Sequence, residues 1–507
     1  MQINPTKSRV DWEVVIGLEV HAQLLTRSKM FCGCPSSYVQ GEPNSQVCPV
    51  CLGMPGVLPV LNSQAVEFAV MTGLALNCTI ASRTQFDRKN YPYPDLVKGY
   101  QISQYENPIA TDGWLDLEVE GRQRRIGITR VHLEEDVAKL QHVLRPPDPS
   151  YSLVDMNRSG VPLMEMVSEP DMRSAEEARQ YLIAVRSILQ YLGVSSADME
   201  KGAMRCDANI SIRPRGSIDL ASKVEVKNMN SLRSVFMALE YEVLRQSSLL
   251  ENDGRVVQET RGWVEDAGKT VSQRTKEQAH DYRYFPEPDL PPLFVSGEWV
   301  EKIRASLPEL PRVRKDRFVS AHGLSDYDAA LITGSKSTAD FFEQTLGELA
   351  QENEQAQSAN AKIVVNWLSG EMARLLNAGG IEISEAKITP AELASLIKIV
   401  ETGVIGSSQA KVVFQELFTT GGSAMAIVNT RGLSQIVDVD SIMPILDQVI
   451  EFNASAVRDY LNGKQEAIRY LVGQTMKMTK GRANPAVVLD LLKTRLSDQI
   501  ENGSQHK

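Results

Sequence analysis

The chain has 507 residues, so at roughly 150 residues per domain it holds about three domains with ample core, and a disulfide-stapled miniprotein is excluded. Hydrophobic residues make up 42% and charged residues 23%, which excludes wholesale disorder and a collagen-like fibre. The 64 acidic residues against 54 basic ones give a net charge of -10, which argues against indiscriminate polyanion binding and leaves RNA recognition to a local basic patch.

The start, MQINPTKSRVDW, has no apolar signal core, and no run reaches the roughly 18 apolar residues of a membrane span, so the expected location is the cytoplasm, away from membranes. Strand alternation sorts side chains onto two faces. In residues 13–24, Val14, Ile16, Leu18, Val20, Ala22 and Leu24 share an apolar face, which puts Glu19, His21 and Gln23 on the other. Next, Cys32-Gly33-Cys34 and Cys48-Pro49-Val50-Cys51 form two thiol hooks thirteen residues apart. Such a set suits a closed, structural tetrahedral zinc site; the competing interpretation is four free thiols. Cys78 and Cys206 read as core residues.

In 126–136, Val131 and Leu133 lie opposite Arg130, His132, Glu134 and Asp136, so parity selects Glu134 rather than Glu135. The run Val161 to Val167 holds one carboxylate, Glu165, in apolar company, which requires a cation or metal partner. Ser174 and Glu177 form a capping box ahead of a helical stripe, Tyr181, Leu182, Val185, Ile188, Leu189 and Leu192, that ends at Gly193. In 205–213 the polar face carries Arg205, Asp207, Asn209, Ser211 and Arg213, and in 223–227 it carries Lys223, Glu225 and Lys227. If these strands share one sheet, Glu19, His21, Glu134, Glu165 and Glu225 converge on hard cations such as magnesium. The alternative is a solvated outer face of an antiparallel sheet.

A second helix runs from about Ser231 to Leu250. The stretch Gly262 to Thr270 imitates a P-loop but has five residues between its glycines where four are needed, and no buried strand leads into it, so it is not a Walker motif and any ATP would have to be held by metal and basic side chains on the sheet. The proline-rich segment Phe285 to Pro292 marks a first boundary. Beyond it the pattern is helical, with a cap at Thr389, Pro390 at the first helical position and Glu392 at the third. The polar stretch 351–362 reads as a solvated helix face or loop, and Thr420-Gly421-Gly422-Ser423 as a turn. A second boundary falls near Ser407, and no internal repeat is evident. From Lys464 to Arg495, seven basic residues (Lys464, Arg469, Lys477, Lys480, Arg482, Lys493, Arg495) face two acidic ones, Glu466 and Asp490, a balance of +5. This is a nucleic-acid footprint or a solvated helix face.

Several long motifs, in order, resemble one family. They are Val15-Ile16-Gly17-Leu18-Glu19-Val20-His21, Phe86-Asp87-Arg88-Lys89-Asn90-Tyr91, the run Val154 to Glu165 (VDMNRSGVPLME), Arg205-Cys206-Asp207-Ala208-Asn209-Ile210-Ser211, and the run His280 to Leu290 (HDYRYFPEPDL). The chain is similar to the B-subunit family of aspartyl/glutamyl-tRNA amidotransferases (GatB/GatE), densely to about residue 290 and more loosely beyond.

The resemblance implies an α+β fold: a catalytic cradle of antiparallel sheet (1–295) resembling glutamine synthetase, an all-helical domain (296–410) and a small, helical, YqeY-like tRNA-binding tail (411–507). It also implies a heterotrimer with an amidase A subunit and a small accessory C subunit. This complex uses ATP and magnesium to amidate glutamate on tRNA for glutamine, or aspartate on tRNA for asparagine. Mapped motif by motif, the metal residues fall on Glu19, His21, Glu134, Glu165 and Glu225, with His21, Glu134 and Glu165 catalytic. ATP contacts fall on Arg205, Asp207, Asn209 and Lys227, structural zinc on Cys32, Cys34, Cys48 and Cys51, and tRNA contacts on Lys464, Lys477, Lys480 and Arg482. The segment Arg88 to Tyr91 is expected to meet either the tRNA acceptor end or the amidase. The rival to this enzyme is a zinc-stabilised tRNA-binding scaffold whose chemistry lies in its partner.

Overall fold

The strand Trp12–Gln23 carries the alternation furthest, and it lies at the centre of the fold. Ile16, Leu18, Val20 and Ala22 are almost fully buried on one face, each large aliphatic side chain contributing about 1.5–3 kcal/mol by leaving water. Its neighbours are Met204–Pro214 on one side and Pro162–Ser168 on the other, both antiparallel. The computed structural model describes residues 11–143, 151–275, 282–349, 354–435, 439–479 and 481–504. The chain divides into two compact units, Met1–Pro311 and Arg312–Lys507.

The first unit is built on a 12-stranded sheet. Outward from Met204–Pro214 come Val224–Met229, Glu259–Val264 and Lys269–Thr275; outward from Pro162–Ser168 come Arg122–Glu135, Tyr100–Ser103, Asp87–Asn90 and Phe285–Pro286. The four charged strands read from the sequence therefore share one sheet, three of them as neighbours and Arg122–Glu135 separated from Trp12–Gln23 by the Glu165 strand. One pair, Val224–Met229 with Glu259–Val264, runs parallel, because the helix Leu232–Glu251 between them carries the chain back across the sheet. The P-loop imitation falls on the hairpin Glu259–Val264/Lys269–Thr275, whose connection is a single 3-10 turn, Glu265–Ala267, and not the α-helix whose N-terminus a P-loop uses to receive phosphates.

Helices Ala175–Leu192 and Leu232–Glu251 cover the apolar face, as their stripes require. The first is capped by the Ser174 hydroxyl, which accepts from Glu177 N at 3.1 Å, while the Glu177 carboxylate accepts from Arg173 N rather than from the cap residue. It ends at Gly193 with φ 68°, a left-handed position that glycine adopts without steric cost. A third helix, Ser63–Ala75, was not expected: Ala65, Val66, Ala69, Val70, Leu74 and Ala75 are buried, so its apolar residues wrap around it and leave no stripe to detect.

The proline-rich segment is built into this first unit. Phe285–Pro286 pairs with Asp87–Asn90, and Leu290, Val295 and Ile303 join the same core. In the second unit, helices between Pro311 and Arg431 share a core that includes Phe318, Phe342, Leu396 and Phe414. The helix Pro390–Glu401 has the expected Thr389 cap. Helices Val439–Phe452, Ala454–Leu461, Ala467–Met478 and Pro485–Ser504 enclose a separate core around Ile442, Leu446, Leu471 and Leu492. Among the described residues no helix is long and apolar enough to cross a membrane.

The central strand sets a stability expectation. Leu18→Ala should destabilise the first unit by about 2–5 kcal/mol, through lost burial and the cavity left behind, read as a lower urea midpoint by intrinsic fluorescence.

Candidate active site

Register decides which polar side chains meet. His21 lies opposite Glu165 across the first strand pair, and Glu165 lies opposite His132 across the next. Cross-strand partners share a face, so Glu165 is enclosed between two imidazoles. His21 Nε2 stands 3.1 Å from Glu165 Oε2 and 3.7 Å from Glu134 Oε1, and His132 Nε2 stands 3.4 Å from Glu165 Oε2. Glu134 accepts from the Ser103 hydroxyl at 3.3 Å. Glu135 points to the other face, where it pairs with Lys98 and accepts from Ile102 N.

These groups line a cavity of about 310 Å³ with Glu19, Asp207, Asn209, Lys223, Glu225 and Lys227. Glu19 accepts from Asn209 Nδ2 at 2.8 Å; Lys227 bridges Asp207 at 2.8 Å and Glu225 at 3.1 Å; Glu225 accepts from the Thr260 hydroxyl at 2.7 Å. A second cavity of about 370 Å³ shares His21, Lys89, Glu134, Asp207 and Lys227 with the first, and it is this one that Arg205 lines. Arg205 Nη2 is held 3.0 Å from Asp136 Oδ1.

The electrostatics show crowded negative charge. Burial, then repulsion from Glu165, pushes the Glu134 carboxyl up; burial, Glu165 and Asp207 do the same to Glu19. Burial also opposes charge on Glu165, but His132 and His21 overcome it and hold its carboxyl well below the usual range. Burial would lower His21, yet Glu165 and Glu134 raise it to about 9, whereas burial, Arg130 and His21 lower His132 to about 4 against the pull of Glu165.

His21, Glu134 and Glu165 each offer a donor atom within 4.8 Å of the others. Two carboxylates and an imidazole, with protonation pressure on Glu134, could hold a divalent cation. Glu19 and Glu225 line the same cavity but engage Asn209, Lys227 and Thr260.

The opposite wall was not anticipated from strand parity. Tyr105 and Tyr284 stack with centroids 4.1 Å apart, Tyr282 meets Tyr284 edge-on, and Lys89 Nζ lies 5.1 Å from the Tyr282 ring. Tyr282 and Tyr284 sit on the chain just before Phe285–Pro286, which is fastened by Arg88. Its Nε and Nη2 donate to Glu287 Oε2 and Oε1 at 2.7 and 2.8 Å, and its guanidinium lies 4.2 Å from the Tyr100 ring. Apart from Tyr105, the residues of this wall lie in the motifs Phe86 to Tyr91 and His280 to Leu290, which carry the family resemblance but no strand alternation to assign them to the cavity.

The four predicted zinc cysteines also converge, their sulfurs all within 4.8 Å of one another. Ligands at the corners of a tetrahedron with bonds of about 2.3 Å lie about 3.8 Å apart, and Cys48 Sγ and Cys51 Sγ are 3.9 Å apart. The donor set fits zinc. Cys78 and Cys206 are buried, as expected.

In the second unit, Lys464 is exposed and paired with Asp459, and Lys477 is exposed in the last turn of Ala467–Met478. Arg482 donates to Gly432 O at 3.3 Å, and Lys480 lies outside the described residues. Arg495 is committed to Asp447, so part of the basic stretch is an ordinary ion-paired helix face.

Removing the Arg88 cation should be costly. Arg88→Met leaves Glu287, 1% exposed, as a buried unpaired carboxylate, with an expected loss of about 3–5 kcal/mol. The double variant with Glu287→Met should recover part of it, as a double-mutant denaturation cycle would measure. For the cysteine site, one zinc per chain is expected by elemental analysis, falling close to zero when Cys34 and Cys48 are both changed to serine.

Residues 14–301 match the GatB/GatE catalytic domain, and residues 340–496 match the GatB domain. The chain is 55% identical over 489 residues to the B subunit of the aspartyl/glutamyl-tRNA(Asn/Gln) amidotransferase of Dehalococcoides mccartyi (strain CBDB1), covering 96% of this chain and 99% of that protein. It is 54% identical over 487 residues to the protein of the same name in Moorella thermoacetica, covering 96% of this chain and 100% of the relative. It is 53% identical over 486 residues to that of Thermoanaerobacter sp. (strain X514), at 96% and 99% coverage. The chain belongs to the GatB/GatE family, as a B subunit of the aspartyl/glutamyl-tRNA amidotransferase type.

Proposed function

We propose that this chain carries the kinase and amide-forming steps of tRNA-dependent amidation, in the cytoplasm, as part of a heterotrimer with an amidase A subunit and a small C subunit. The observation that supports this most is the histidine-flanked Glu165 beside Glu134 in a cavity also lined by Lys89, Lys223 and Lys227. A solvated outer sheet face would not leave Glu134 3%, His132 3% and Glu165 7% exposed. The scaffold alternative gives no reason for that burial.

A side-chain carboxylate resists nucleophiles because it is negatively charged and has no good leaving group. One of its oxygens first attacks the γ-phosphorus of ATP, giving an acyl phosphate and ADP. Ammonia then attacks the acyl carbon, inorganic phosphate leaves, and nitrogen loses a proton. His21, Glu134 and Glu165, with Glu19 and Glu225 beside them, would hold magnesium, which supplies charge neutralisation for the triphosphate. Lys227 and Arg205, with Asp207 and Asn209 orienting, serve the nucleotide. His132 keeps Glu165 fixed by its position on the neighbouring strand. The tyrosine wall limits water, which competes with ammonia for the acyl phosphate. The sequence carries no glutaminase motif of its own, so ammonia comes from the A subunit.

Function divides among a cradle at 1–295 resembling glutamine synthetase, a helical domain at 296–410 and a YqeY-like tail at 411–507. Two separate apolar cores beyond residue 311 support distinct bodies there, but the first continues through Val428 and the second begins at Ile442, which favours a tail that starts after residue 431 rather than at 411. The tail binds tRNA through Lys464, Lys477, Lys480 and Arg482, with phosphate contacts supplying affinity and shape supplying selectivity.

The test is ATP hydrolysis by the assembled complex with and without glutamyl-tRNA. Glu165→Gln should lower tRNA-dependent hydrolysis by about 100-fold or more while tRNA binding is retained; normal hydrolysis in this variant would overturn the proposal. Changing Lys464, Lys477 and Arg482 together to alanine should weaken tRNA binding and lower its salt slope by about 0.7–0.9 per lost phosphate contact.

A further inference from the structure

Lys29 is 0% exposed, although lysine is among the residues least often buried without a partner. Its Nζ meets three acceptors: Gln46 O at 2.9 Å, Met156 O at 3.5 Å and Cys51 Sγ at 3.6 Å. An ammonium has three N–H donors, which these three acceptors match, whereas a neutral amine has only two. Among the described residues no carboxylate lies within ion-pair distance of it. Two of its neighbours are neutral carbonyls, so the remaining source of negative charge is the cysteine cluster.

Four neutral thiols would leave this ammonium without a counter-charge. Four thiolates around one divalent zinc carry a net charge of -2, and a buried cation beside them offsets half of it. We propose that Lys29 is the built-in counter-cation of the tetracysteine metal site, so that metal, thiolates and ammonium form one charge unit.

The backbone supports this placement, because Lys29 N donates to Cys34 O at 2.8 Å and Asn62 Nδ2 donates to Lys29 O at 3.3 Å. The unit also reaches the catalytic sheet. The Ser159 hydroxyl donates to Cys51 O at 3.1 Å, and Asn157 Oδ1 accepts from Gln46 N at 2.8 Å. Between these residues, Arg158 donates to Val137 O and Ala138 O and lies 3.7 Å from Asp136. The segment 156–161 leads directly into the strand Pro162–Ser168, which carries Glu165, and Asp136 follows the strand that carries Glu134.

The decisive experiment compares Lys29→Met in two full-chain backgrounds, one with the four cysteines and one with all four changed to serine. Zinc affinity by competition with a chromophoric chelator should fall at least 10-fold in the first, with a lower melting temperature, whereas the same substitution in the serine background should not destabilise. Unchanged zinc affinity, or equal destabilisation in both backgrounds, would show Lys29 to be a packing residue and overturn the proposal. If Lys29→Met does not fold, the wild-type chain answers by amine acylation mapped by mass spectrometry. Lys29 should resist labelling when zinc is bound and become labelled once a chelator has removed it. Equal protection in both states overturns the proposal.

Discussion

A carboxylate inside a sheet is stable only where cations or hydrogen-bond donors meet it, and at Glu165 they come from both flanking strands. His21 and His132 lie opposite it in register, and neither can be moved without shifting a whole strand by two residues. The burial of Glu134 beside it turns this balance into an excess of negative charge. Lys89, Lys223 and Lys227 line the same cavity and set positive charge against that excess. The apolar residues on the opposite face, packed under Ala175–Leu192 and Leu232–Glu251, hold the strands at the spacing this arrangement needs.

Rigidity at the rim comes from two buried charge units. Arg88 and Glu287 fasten the tyrosine wall to one end of the sheet. Lys29 and the cysteine cluster fasten the segment that enters the Glu165 strand. Each places an ionic group where water cannot solvate it, so losing one partner leaves the other buried and uncompensated. Both pairs join residues distant in sequence, so they constrain loops that strand pairing alone would leave loose.

How much of this is legible in the sequence follows from the range of the interactions. Side chains in a strand alternate with period two, so Glu19, His21, Glu134, Asp207, Asn209 and Glu225 are assigned to a face by their immediate neighbours, and Glu165 stands out because its neighbours are apolar. The amphipathic helices and their caps are equally local. Ser63–Ala75 escapes this treatment because it is buried on nearly every side, and the parallel pair of strands escapes it because direction depends on where a helix returns the chain.

By itself the sequence determines which residues share a face, which cysteines are spaced to share a metal, and which motifs relate the chain to its family, since each rests on local covalent geometry or on order along the chain. Tertiary structure alone decided that Glu165 lies between His21 and His132, that Arg88 closes on Glu287 and that Lys29 is buried against Cys51. These contacts join positions from 22 to 199 residues apart, and no local rule of periodicity or propensity specifies which distant partner a buried charge will meet.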